Sequence, residues 1–97
     1  MADLGRMTQL WFIKAQNDLR AAHALLGFDS EHFEAVVFHS QQAAEKAIKG
    51  YLTHHKLRFS KTHDIAKLLE SVELIDKNLS LQFKEAEVLT RFAVAYR

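Results

Sequence analysis

Cysteine and proline are both absent from this 97-residue chain, and glycine occurs only three times. Without cysteine there can be no disulfide, no thiolate zinc site and no thiol nucleophile. Without proline, and with so little glycine, the turn-dense sandwiches and barrels are disfavoured. No apolar run approaches the roughly 18 residues that a membrane-spanning helix needs. An excess of one charge is missing too: 13 basic against 12 acidic residues leave +1, so the chain is not a globally basic nucleic-acid binder. A local basic patch remains open. Residues 1–6 lack the apolar core of a secretory signal, which makes the cytoplasm the expected address, with no membrane partner.

What is present is an ordinary globular composition, 48% hydrophobic and 26% charged, which argues against a disordered tail. At this length the whole chain, residues 1–97, is expected to form one domain. Apolar residues recur with a helical period and show no sustained strand-like alternation. A first helix is predicted from about Thr8, as N-cap, to about Leu26, with Phe12, Ala15, Leu19, Ala22 and Leu26 as its buried stripe. Gly27 is suited to a C-terminal cap, and Asp29 or Ser30 can cap the next helix. That second helix, about Glu31 to His54, turns Phe33, Val36, Val37, Ala44, Ala47, Ile48 and Tyr51 inward. Glu45 and Lys49 lie opposite, spaced for an i,i+4 ion pair. Gly50 within it costs about 1 kcal/mol relative to Ala; a close neighbour or an early helix end would account for it.

Residues 55–61 read as a basic connector. Ser60 or Thr62 can cap a short third helix with Ile65, Leu68, Leu69 and Val72 inward, and His63 would lie just inside it. Asp76-Lys77-Asn78 breaks the pattern. A fourth helix starts near Ser80, with Phe83, Ala86, Leu89, Ala93 and Tyr96 inward and Val88 and Phe92 beside them. It runs to the last residue without a stop signal, which fits either a trimmed chain or a helix end that a partner supports. The expected fold is all-α, a small antiparallel four-helix bundle of up-down type. Phe38 points away from the inward stripe, as a rim residue or part of a homodimer face.

The most unusual polar string runs from His39 to Lys49. Helical spacing puts His39, Gln42, Lys46 and Lys49 along one stripe, where imidazole, carboxamide and ammonium groups suit phosphate or a base edge. A solvated helix face would look the same. Lys56, Arg58 and Lys61, beside His54 and His55, form the densest basic run, either a solvated connector or a phosphate-contacting patch. The neighbouring His54 and His55 point about 100° apart on a helix, and no His-x-x-x-His pair exists, so neither a metal nor another cofactor is expected.

Asp18-Leu19 with Ala22 and Leu25-Leu26, then the run from Ala35 to Lys49 with Leu52, resembles the HEPN domain family (higher eukaryotes and prokaryotes nucleotide-binding). Lys61-Thr62-His63-Asp64-Ile65 with Leu68-Leu69 is similar to that family's next signature, and Ala95-Tyr96-Arg97 to the start of its closing segment. The resemblance implies an all-α homodimer with nucleotide or RNA as ligand. Many small prokaryotic members work beside a minimal nucleotidyltransferase as a toxin–antitoxin pair. Others are metal-independent ribonucleases in which an Arg and, after four to six residues, a His activate the ribose 2′-hydroxyl and steady the phosphate. Here only Arg58 and His63 have that spacing, and they fall in the connector. The nuclease motif belongs near the start of the final helix, where Arg91 and Arg97 have no His after them. The expectation is therefore a binding protein that uses His39, Gln42, Lys46, Lys49 and His63, with an endoribonuclease acting through Arg58 and His63, or a protein-interaction module, as the alternatives.

Overall fold

A computed structural model describes residues 3–26, 33–59 and 61–95; side chains of the last stretch are described up to Glu85 and at Glu87. Four helices follow one another: α1 (Leu4–Leu25), α2 (Phe33–His54), α3 (Ile65–Glu73) and α4 (Lys77–Ala95). Among the described residues there is no strand. The all-α, four-helix architecture is the one the periodicity predicts.

α2 is the central element. α1 lies antiparallel along one side of it, while α3 and α4 pack on each other and on its other side. The largest enclosed side chains gather on that second side: Ile48 and Leu52 from α2 with Leu68, Leu69 and Val72 from α3. Leu57, Phe59, Ile65, Ile75, Leu79 and Phe83 close around them. The expected α3 stripe is thus in place, with Ile65 half-buried at its edge.

The α1 stripe lies elsewhere than expected. Ala15 and Ala22 are buried, but Phe12 is 44% exposed and Leu19 56%. The covered seam is Leu4, Thr8, Trp11, Ala15, Asp18, Ala22 and Leu25, a spacing of alternating three and four. Small residues let the helices approach closely, and Gly50 marks the contact. A Cβ built on Gly50 would stand 3.1 Å from the Trp11 Cβ and 3.0 Å from the Phe12 ring. The helix passes through Gly50 to His54, so a close neighbour, not an early end, accounts for this glycine.

The starts of α1, α3 and α4 are each set by an aspartate. The Asp3 carboxylate caps α1 by accepting from the Arg6 amide at 3.0 Å. Thr8, expected as the cap, lies inside the helix and donates its hydroxyl to the Leu4 carbonyl at 2.7 Å. Asp64 caps α3 by accepting from the Ala66 amide at 3.0 Å, while Thr62 accepts from the Asp64 amide. His63 therefore precedes the helix. Asp76 caps α4 through the Leu79 amide at 3.0 Å, so Lys77 and Asn78 are helical rather than part of a break. Ser80 is buried and donates to the Leu69 carbonyl at 3.0 Å, tying α4 to α3. The expectations for Gly27, Asp29, Ser30, Ser60 and Tyr96, and for the side chains of Ala86, Val88, Leu89, Arg91, Phe92 and Ala93, lie outside the described residues.

α2 ends at His54 in a Schellman turn. The Leu57 amide reaches the Leu52 carbonyl at 2.9 Å, and the Lys56 amide reaches Thr53 at 3.0 Å. This requires a left-handed residue, and Lys56 takes it with φ 59°. No helix among the described residues is long and apolar enough to cross a membrane.

Candidate functional site

The polar residues of α2 sort into two carboxylate-centred clusters. In the first, Asp18 reaches across from α1. Its Oδ1 lies 3.1 Å from His39 Nδ1, and its Oδ2 accepts from the Lys46 ammonium. Burial, the largest single influence, pushes the Asp18 carboxyl up. The hydrogen bonds and charges of Lys46 and His39 together outweigh it, so its pKa lies below the ordinary aspartate value. Gln42 is half-buried on α2 between these two partners in sequence.

The second cluster is centred on Glu45. Lys49 Nζ stands 2.9 Å from Glu45 Oε1, and only 9% of the lysine and 4% of the glutamate side chain reach solvent. The pair was expected on an exposed face. It is enclosed because α2 is covered from both sides, α1 bringing Trp11 over the lysine with 5.4 Å from Nζ to the ring centroid. Phe59 meets Trp11 edge-on at 6.3 Å. From the connector, His63 sets its Nδ1 2.7 Å from the same Glu45 oxygen, and 85% of its side chain remains exposed.

Of the residues expected to bind a ligand, His39 and Lys46 share one carboxylate, and Lys49 and His63 share the other. Lys49 is not free on the surface. Removing it would leave the buried Glu45 carboxylate without its ammonium partner, and breaking a buried ion pair costs about 3–5 kcal/mol. Arg58 is exposed on the connector that leads to His63. His54 and His55 have ring centroids 5.2 Å apart but cross at 85°, and His55 packs on Tyr51 at 4.5 Å.

Sequence spacing anticipated the Glu45–Lys49 pair. It did not single out the contacts of Asp18 with His39 and Lys46 or of Glu45 with His63, which join residues 18 to 28 positions apart that helical periodicity cannot relate. Trp11, the single tryptophan, carries no spacing signal of its own.

Chemically, the arrangement is a set of ammonium and imidazole groups held by one half-buried and one buried acid, with the His63 ring, anchored on Glu45, facing solvent. The HEPN domain family model matches residues 8–97. No curated protein and no solved structure matches the chain. A match over residues 8–97 takes in both carboxylate clusters, α1 from Thr8 onward and the three later helices, and the chain belongs to the HEPN domain family, a helical family of nucleotide- and RNA-related function.

Proposed function

We propose that this HEPN chain binds a nucleotide or RNA and works as one half of a two-component, toxin–antitoxin-like system whose other half is a minimal nucleotidyltransferase. The family supplies the ligand class. The observation that carries the reading to particular residues is the exposed His63 imidazole, fixed on a buried acid and flanked in sequence by Lys61 and, earlier, Arg58. His39, Gln42 and Lys46 add a polar face on α2, where a phosphate would compete with Asp18 for the Lys46 ammonium and the His39 imidazole. Lys49 serves from within, by holding Glu45. The protein acts as a homodimer in the cytoplasm, through the apolar groove on α1 that Phe12, Ile13 and Leu19 line.

Titration with single-stranded RNA and with nucleoside triphosphates tests the binding. His63→Ala and Lys46→Ala should each weaken it several-fold, and Lys46→Ala should also flatten its salt dependence. Unchanged binding in both variants would leave this face merely solvated. Co-purification with the product of an adjoining nucleotidyltransferase frame tests the partner.

A second reading, a metal-independent endoribonuclease using Arg58 and His63, gains from one observation. A catalytic imidazole needs to be oriented, and Glu45 orients this one. The binding reading stands ahead because Arg58 is an exposed connector residue, and catalytic cations are better held on rigid elements. RNA cleavage in chelator that disappears in both Arg58→Ala and His63→Ala would reverse that order.

A further inference from the structure

The buried carboxylate of Glu45 has more partners than neutralisation requires. Lys49, one turn along the same helix, already meets its charge at 2.9 Å inside the enclosure. His63 nonetheless reaches Oε1 from the connector, 18 residues away in sequence, at 2.7 Å. An ionised carboxylate only accepts hydrogen bonds, so the contact requires the imidazole hydrogen on Nδ1. A neutral imidazole carries a single N–H, so Nε2 is then left with its lone pair. The ring is 85% exposed, which leaves Nε2 as the ring nitrogen available to a ligand.

The backbone around the ring is fixed as well. Thr62 Oγ1 accepts from the Asp64 amide at 3.0 Å, and Asp64 accepts from the Ala66 amide at 3.0 Å. His63 is therefore held between a turn and a helix cap, with Glu45 choosing which nitrogen faces outward.

We infer that Glu45 is a positioning residue that fixes the tautomer of the neutral His63 ring, so that in this form Nε2 meets the ligand as a hydrogen-bond acceptor and takes a hydroxyl or amino hydrogen rather than a phosphate oxygen. This rests on the nucleotide- or RNA-binding reading and assigns His63 a place within it. A phosphate oxygen brings no hydrogen at neutral pH and would meet the Nε2 lone pair unfavourably, so phosphate falls to the lysines. In RNA the donors are ribose hydroxyls and base amino groups.

Long-range proton–nitrogen NMR of the 97-residue chain reads the tautomer without any ligand. For the neutral ring, read at about pH 9, the His63 hydrogen is expected on Nδ1. A ring with its hydrogen mainly on Nε2 overturns the inference. At the same pH, titrations with a mixed-sequence single-stranded RNA over a range of salt concentrations compare the wild type with His63→Ala. Binding should weaken about three- to tenfold with the salt slope unchanged. A slope smaller by about 0.7, the signature of one lost phosphate contact on a single strand, overturns the inference.

DNA of the same sequence separates the two donors. A His63 effect on RNA alone assigns the ribose hydroxyl, and an equal effect on both assigns the base amino group. Either supports the acceptor role. Glu45→Gln with wild-type helicity, whose amide can offer either its oxygen or its NH2 to Nδ1 and so no longer fixes the tautomer, should repeat part of the loss, and combining it with His63→Ala should add nothing further. A combined loss equal to the product of the two overturns the positioning role. Where Glu45→Gln does not fold, the wild-type tautomer and the His63→Ala salt slope decide. Failure of the wild type to bind RNA at all overturns the functional reading, and this ligand contact with it; the ligand-free tautomer keeps that failure distinct from a wrong assignment at His63.

Discussion

Nδ1 of His39 on α2 lies 3.1 Å from Oδ1 of Asp18 on α1, and the ammonium of Lys46 holds the other oxygen of the same carboxylate. The charged form of Asp18 is favoured in the folded chain despite its burial, and its pKa is lowered. The native state thus binds this proton less readily than the unfolded state. The resulting stability is complete above the ordinary aspartate value of about 3.9 and is lost as pH falls through the depressed native value. Thermal melts from neutral pH down to about pH 2 should therefore show a steeper acid loss in the wild type than in Asp18→Asn. The variant should also be less stable at neutral pH, by about 1–3 kcal/mol. Equal acid slopes would remove the ion-pair account of this cluster.

Gly50→Ala sets two effects against each other. Alanine favours the helix by about 1 kcal/mol, whereas overpacking a close contact costs about 1–3 kcal/mol. The Phe12 ring is partly exposed and can turn away, but the Trp11 Cβ at 3.1 Å is fixed to the α1 backbone. The contact should win, with a net loss of about 1 kcal/mol in a denaturant titration. A stabilised variant would mean that α1 can move off α2 without cost.

Lys56 occupies a left-handed position that glycine fills at little cost. The strain for a residue with a Cβ is about 1–2 kcal/mol, offset in part by the greater freedom of glycine in the unfolded chain. Lys56→Gly should raise stability by about 0.5–1 kcal/mol and leave the Leu57 and Lys56 amides protected. A destabilised variant would show that the lysine side chain contributes something beyond its backbone angle.

Assembly is tested by light scattering at micromolar concentration, where twice the monomer mass is expected. Phe12, Ile13 and Leu19 share one open groove on α1, and Phe38 stands 55% exposed on α2. Leu19→Glu should give the monomer mass with helicity retained, because it places a charge in a face that a second copy would have to dehydrate. A wild type that runs as a monomer would remove the dimer from the proposal.

The helices were legible because periodicity is local. Ile65, Leu68, Leu69 and Val72 could be assigned to α3 from spacing alone, and Gly50 already stood out, with a close neighbour and an early helix end both open until the packing decided between them. The side of α1 that faces inward was less legible. Phe12 and Leu19 are the larger apolar residues, yet the seam runs through Ala15, Asp18 and Ala22, since close approach and the cations of α2 decide it. The caps were misplaced for a related reason: Ser and Thr compete with nearby Asp residues, and Asp3, Asp64 and Asp76 took all three described helix starts. In the site, the α2 stripe could be drawn from spacing. Its burial could not, because enclosure of Lys49 and the approach of His63 depend on which elements flank α2.

The uneven distribution of bulk across α2 has a consequence for how the fold opens. On the α3 side, Ile48, Leu52, Leu68, Leu69 and Val72 are fully enclosed, whereas the buried residues that α1 itself contributes are Thr8, Ala15 and Ala22. Fewer large, fully enclosed side chains are uncovered when α1 lifts away than when α3 does. Amide protons should accordingly exchange with solvent in two tiers, α1 ahead of the α2–α3 centre. Trp11 and Asp18 leave with α1, so each such opening uncovers Lys49 and releases His39 and Lys46 together. Access to the cationic face and the partial melting of one helix would then be a single event.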